Sequence, residues 1–183
     1  MTSGWSVSKT NLGVVGAPIR IRGKEFARGV GTHAESRLRV EIRGKARRFF
    51  AQVGVDDSAG EKGTVEFIVS GDGKVLWRSG ILKGGKPAVP VEVNLAGVQI
   101  MTFRVSDGGD GADSDHADWA EAGIEMEPGF AVTALPPFET INVKTKNFGL
   151  TFQIGDDKRL YQQAVGSIET NEPAHRFDEA YPQ

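Results

Sequence analysis

Apolar residues fall at every second position along most of the first 126 residues, and that spacing restricts the chain to β-strands as its main regular structure. In "RLRVEIR" (37–43), Leu38, Val40 and Ile42 share one face while Arg37, Arg39, Glu41 and Arg43 share the other, the signature of a half-buried strand. "TVEFIVSGDGKVLW" (64–77) reads as two strands joined at Asp72-Gly73, a dipeptide suited to the positive-φ positions of a hairpin turn. Further strands are expected at "IRIR" (19–22), "FFAQVGV" (49–55), "VPVEVNL" (89–95), "VQIMTFRV" (98–105) and "WAEAGIEM" (119–126). The last has helical propensity, but it is short and follows a glycine-rich loop, as the closing strand of a sandwich would. No segment before residue 127 keeps a 3.6-residue apolar stripe, so few or no helices are expected.

Turns are well supplied: 24 of the 183 residues are glycine, well above the roughly 7% of average usage. Short strands at regular spacing with Gly and Asp turns indicate an all-β protein, and a jelly-roll β-sandwich is the expected architecture. "EPGFAVTALPPFET" (127–140) then concentrates three of the eight prolines. We read residues 1–127 as the sandwich, 128–140 as a proline-containing linker and 141–183 as the start of a second β-domain. That last part shows a hairpin, "NFGLTFQI" and "RLYQQAVGSI" around the turn "GDDK" (155–158). One hairpin does not bury a core by itself.

Composition excludes several function classes. With no cysteine, disulfides, thiolate metal sites and a cysteine nucleophile are ruled out. A net charge of −2 creates no global field that would draw the chain to nucleic acid. No apolar run approaches the roughly 20 residues of a membrane span, and "MTSGWSVSKT" lacks an apolar signal core. The start is read as following a removed signal, which puts the parent protein outside the cytoplasm: secreted, periplasmic or at the cell surface. There is no Gly-x-Ser-x-Gly elbow, no His-Glu-x-x-His and no phosphate-binding glycine loop, so no catalytic residue is expected.

The chemistry concentrates in "SDGGDGADSDHADW" (106–119), with five aspartates beside His116 and Trp119. Clustered Asp side chains and turn carbonyls supply the oxygens a hard cation wants, and Ca²⁺ takes six to eight. The EF-hand pattern fails, because from Asp113 the fifth position is Ala117 and the sixth is Asp118 rather than Gly. A structural Ca²⁺ would then draw Asp107, Asp110 and Asp115 together with Asp56 and Asp57 of "GVDDSAG". Asp107 and Asp110 beside glycines also have a simpler reading as turn formers. "DHADW" suits a sugar: an indole face packs on the C–H face of a pyranose, while Asp and His exchange hydrogen bonds with its hydroxyls. Trp119 has a competing reading as core, since tryptophan is highly buried on average.

Four ordered blocks, "PIRIRGKEFARGVGTHAESRLRVEI", "FFAQVGVDDSAGEKGTVEFIVSGDGKVLWRSG", "VEVNLAGVQIMTFRVSDGGDG" and "DHADWAEAGI", resemble the NPCBM domain, related to carbohydrate-binding module family 51. The resemblance implies a galactose-binding-domain-like sandwich that recognises galactose-containing glycans, often carries a structural calcium, and is appended to a secreted glycoside hydrolase. "FGLTFQIGDDKRLYQQAVGS" with "EAYPQ" is similar to the start of the N-terminal β-domain of family 36 α-galactosidases. That would make the catalytic domain of the parent chain an α-galactosidase and this portion non-catalytic. Carried onto this chain, the match marks His33, His116, Asp118 and Trp119 for carbohydrate and Asp56, Asp57, Asp107, Asp110 and Asp115 for metal. Two other readings make different demands. A purely interdomain module requires Trp119 buried and no exposed aromatic. An independent enzyme requires two carboxylates about 5–9.5 Å apart across a cleft.

Overall fold

The computed structural model describes residues 1–136, 138–146, 148–154, 160–167 and 175–176. They divide into two compact units, Met1–Pro137 and Phe138–Gln183.

The first unit has twelve strands: β1 (Lys9–Thr10), β2 (Ile19–Ile21), β3 (Lys24–Phe26), β4 (Gly29–His33), β5 (Ser36–Glu41), β6 (Ala46–Val55), β7 (Thr64–Gly71), β8 (Lys74–Lys83), β9 (Val89–Asn94), β10 (Ile100–Ser106), β11 (His116–Met126) and β12 (Thr133–Leu135). The one helical element among the described residues is a 3-10 turn, Asp57–Ala59. Two antiparallel five-stranded sheets, β1-β4-β11-β6-β9 and β12-β5-β10-β7-β8, face each other, and β2-β3 forms a separate hairpin. Every strand expected from the alternation before residue 127 is present, so the sandwich reading holds.

Alternation also decides what fills the space between the sheets. Phe49, Phe67, Phe103 and Trp119 meet edge to face there, with Phe49–Phe103 centroids 4.7 Å apart and Phe67–Trp119 centroids 4.8 Å apart. Such pairs contribute about 0.5–1.5 kcal/mol each beyond the area they bury. The β7–β8 hairpin turns at Asp72 (φ 49°) and Gly73 (φ 78°), as the dipeptide predicted. The Asp72 carboxylate accepts the Gln99 and Ile100 amides, which ties the turn to β10. Arg39, placed outward by the pattern, is instead 8% exposed, and its guanidinium donates to the Pro136 carbonyl.

That contact belongs to a larger difference. Within the stretch read as linker, β12 pairs with β5 (Ala134 opposite Val40), so these residues complete the sandwich instead of leaving it.

A second, smaller apolar cluster lies on the outer face of the first sheet. There the β2–β3 hairpin lays Ile19, Ile21 and Phe26 on Ala120. Strand β11 therefore has both faces covered: Ala117 and Trp119 face the inter-sheet core, while Asp118 and Ala120 alternate away from it.

The second unit is a four-stranded antiparallel sheet, ordered β13 (Glu139–Lys144), β14 (Phe148–Ile154), β15 (Leu160–Ser167) and β16 (His175–Arg176). The expected hairpin is β14–β15, joined by β13, which begins inside the expected linker. The turn at 155–158 and the "EAYPQ" segment lie outside the described residues.

Candidate functional site

Strands β11 and β4 run antiparallel with His116 opposite His33. The register sets the two imidazoles side by side at one end of the sheet, centroids 5.6 Å apart. The N-terminal segment crosses this end and adds Trp5, whose indole stacks on His116 (5.9 Å, 9° between planes) and meets His33 edge-on (5.8 Å, 61°). Trp5 is 55% exposed. It presents a flat apolar face to water with two polar rings at its edge.

Backbone contacts hold the segment in place. The Thr2 amide donates to the Arg37 carbonyl (2.9 Å) and the Gly4 amide to the His33 carbonyl (3.3 Å). The Ser3 hydroxyl accepts from the His33 amide (3.1 Å) and donates to the Trp5 carbonyl (2.8 Å). Gly4 is required by close approach: a Cβ there would lie 2.1 Å from the Ala34 carbonyl oxygen.

The imidazoles are oriented as well. His33 Nδ1 sits 2.6 Å from the Ala34 carbonyl oxygen, which only accepts, so Nδ1 donates to it and fixes the ring's orientation. His116 Nδ1 lies 2.8 Å from Ser58 Oγ. Either atom of that pair can donate, so the contact holds the ring in place through Nδ1 and leaves the Nε2 edge without a protein partner among the described residues. Burial, then the neighbouring His33, lowers the His116 pKa below the usual imidazole value, against a smaller opposing pull from Asp56. His116 is thus neutral at pH 7.

The aspartates play a different part. Asp56 caps the 3-10 turn by accepting the Ser58 amide (2.8 Å) and also accepts the Arg20 amide (3.4 Å). Asp57 accepts the Arg22 and Gly23 amides (2.6 and 2.7 Å), strapping the β2–β3 hairpin to the sheet. On another loop, Asp107 accepts the Gly109 amide (2.9 Å) and Asp110 the Thr64 hydroxyl, while Asp115, wholly buried, accepts the Thr64 amide (2.8 Å). Burial, opposed by that amide and assisted by Asp110, Asp107 and Asp113, pushes Asp115 up to about 6.

The five carboxylates expected to share a Ca²⁺ do not converge: among the described residues, no three acidic, His or Cys side chains form a cation cage. Each of the five instead takes at least one backbone amide or hydroxyl donor, as a loop brace does.

Asp118 is the exception. It is wholly buried, and neither carboxylate oxygen meets an N–H or O–H donor of a neutral partner. What it faces is Asp56. Two carboxylates bond to each other only when one carries a proton, and Asp118 is the one that keeps it: burial first, then Asp56 and Asp57, push it up to about 10. Burial opposes the ionised Asp56, but hydrogen bonds from Asp118, Ser58 and Arg20 outweigh it and hold Asp56 below the usual carboxylate range.

Of the four residues assigned to carbohydrate, the structure brings His33 and His116 together. Trp119, 3% exposed, lies in the inter-sheet core, and Asp118 lies under the hairpin; neither is placed to touch a sugar at the rim. The exposed aromatic beside the two imidazoles is Trp5, in a segment with no repeating pattern to mark it. Proximity to His33 and His116 is its only signal, and that exists only once the chain is folded.

This arrangement and fold define a family. Residues 1–125 match the NPCBM/NEW2 domain, and the chain belongs to that family. It resembles the CBM51 of Clostridium perfringens GH95 solved with methyl-galactose (27% identity, TM-score 0.63, covering 67% of this chain and 90% of that one). It also resembles the CBM51-2 and INT domains of C. perfringens ZmpB solved with GlcNAc (27%, TM-score 0.64, covering 68% and 29%). An Alpha-1,3-galactosidase B of Akkermansia muciniphila is 37% identical over 112 residues, 57% of this chain. A Renibacterium salmoninarum protein named as an endo-alpha-N-acetylgalactosaminidase is 29% identical over 143 residues, 78% of this chain. The chain spans only 14% and 10% of these two relatives' lengths.

Proposed function

We propose that this chain is a non-catalytic module that binds galactose-containing glycans and holds an attached glycoside hydrolase, an α-galactosidase in our reading, on its substrate outside the cytoplasm. One observation carries the reading: an exposed indole, Trp5, bracketed by the paired imidazoles of His33 and His116. The indole offers a flat apolar face to the C–H face of a pyranose, and the imidazole nitrogens exchange hydrogen bonds with adjacent hydroxyls. The methyl-galactose complex of a similar module supports the choice of sugar.

An interdomain module without sugar binding requires Trp119 buried, which it is, and no exposed aromatic; the exposed Trp5 is the observation against it. A single open site of this kind binds weakly, on the order of −4 to −6 kcal/mol, or millimolar to tens of micromolar. Its effect comes from tethering, which raises the enzyme's local concentration on a polymeric glycan. The test is calorimetric titration with methyl-galactoside, with methyl-glucoside as control. Saturable heat with the galactoside that disappears in Trp5→Ala and in His116→Ala, both folded by circular dichroism, supports the reading. No heat with any sugar refutes it.

A further inference from the structure

At the opposite end of β11 from the two imidazoles, an apolar cavity of about 350 Å³ opens between the sheets. Its floor is the buried ring cluster of Phe49, Phe103 and Trp119, and its mouth is bordered by Ala122, Val132 and Met1, all exposed. The strand pattern explains the opening. Pairing of β11 with β4 ends at Ala120 opposite Gly29, and a register break between Ala120 and Gly123 follows on the β6 side. Residues 123–126 pair with β6 alone among the described strands, so the first sheet is one strand short beside the cavity. A sandwich core is ordinarily packed to the density of an organic crystal, and a funnel of this size reaching its central tryptophan departs from that.

A second observation concerns the floor. Trp119 is 3% exposed, and its indole Nε1–H has no protein acceptor. Buried tryptophan N–H groups ordinarily find one, and leaving such a donor unmet is costly.

From these two features together we infer that the cavity is a second binding site, for a small, predominantly apolar molecule carrying one hydrogen-bond acceptor that takes the Trp119 N–H. Its volume falls at the low end of ligand pockets and exceeds the ~150 Å³ cavity that accepts benzene, so the ligand has on the order of ten heavy atoms. The walls are almost wholly apolar, which excludes a free sugar and separates this site from the Trp5 face in chemistry as well as in position. His116 and Ala122 lie six residues apart on one strand, roughly 20 Å at the strand rise.

The experiment follows the indole N–H signals of the ¹⁵N-labelled chain by NMR. Trp119→Phe, which keeps a ring in the floor, assigns the Trp119 signal by its loss. Acetophenone and ethylbenzene are then titrated separately; they have nearly the same shape, and only acetophenone has an acceptor. The expected result is a saturable downfield shift of the Trp119 N–H with acetophenone and at least ten-fold weaker binding of ethylbenzene. The preference should vanish in Trp119→Phe, and binding should be lost in Val132→Trp, which blocks the mouth from an exposed position. No saturable shift, equal affinity of the two probes for the unaltered chain, or binding unaffected by Val132→Trp would each overturn the inference. The comparison of probes on the unaltered chain stands even if a variant fails to fold. Methyl-galactoside should shift the Trp5 signal and leave Trp119 in place.

Discussion

Replacing Asp118 with asparagine should stabilise the fold at neutral and alkaline pH, although it alters a wholly buried residue of the central strand. Asp118 is held neutral in the folded chain, at about 10 against an ordinary value of 3.8. Its folded-state value is raised, so its stabilising contribution is full below 3.8 and is lost as pH climbs toward about 10. Within that window the folded chain binds one proton more than the unfolded chain, and stability falls by about 1.4 kcal/mol per pH unit. At pH 7 the accumulated cost is about 4 kcal/mol, an upper bound on what asparagine recovers, since it fills the same space, needs no proton and donates to Asp56. The other shifted groups lie outside pH 7–8.5: Asp115 acts between 3.8 and about 6, the lowered Asp56 below 3.8, and the lowered His116 below 6.5. Urea unfolding at pH 7, 7.75 and 8.5 should therefore show the unaltered chain losing about 2 kcal/mol across the range, and Asp118→Asn losing almost none. A flat profile for the unaltered chain, or a variant less stable than it at pH 7, refutes the shared proton. Stabilisation by millimolar calcium that Asp118→Asn abolishes would refute it in another way, by assigning the acid pair to a cation.

Three further outcomes follow from the same geometry. Gly4→Ala pushes the N-terminal segment off the Ala34 carbonyl, so galactoside affinity should fall ten-fold or more by calorimetry while the melting temperature moves little. Galactoside affinity should hold from pH 8 to 6.5 and fall as His116, whose pKa is lowered, takes up a proton below that, with the imidazole titration followed by NMR in the same samples; an affinity unchanged across the pH range in which His116 is seen to titrate would remove it from the site. Asp57→Ala frees two charge-assisted amide contacts of the β2–β3 hairpin and should cost about 2–4 kcal/mol in urea unfolding.

Much of the fold was legible because a half-buried strand writes its burial into its own alternation. The Asp72-Gly73 turn was legible because few dipeptides tolerate two positive φ values. The same alternation corrects the reading of "DHADW". On one strand, Asp118 and Trp119 point to opposite faces, so a trio of His116, Asp118 and Trp119 on one sugar was excluded by the periodicity that identified the strand. Residues 133–135 looked like linker because proline dominates their surroundings, whereas their amides find partners on β5. Trp5 carries no periodicity and sits far along the chain from His33 and His116. Aspartate density was ambiguous in principle, since a carboxylate that braces a loop and one that binds a cation occupy the same glycine-rich turns.

The proposed sugar face divides unequally between frame and attachment. His33 and His116 sit on paired strands whose register the whole sandwich enforces, but residues 2–5 give no side chain to either apolar cluster. Exchange of the side chain at position 5 therefore leaves both apolar clusters untouched, while on the proposed reading it acts directly on ligand preference. On that reading, substitution in this one peripheral segment changes the glycan favoured while the scaffold beneath it is left intact.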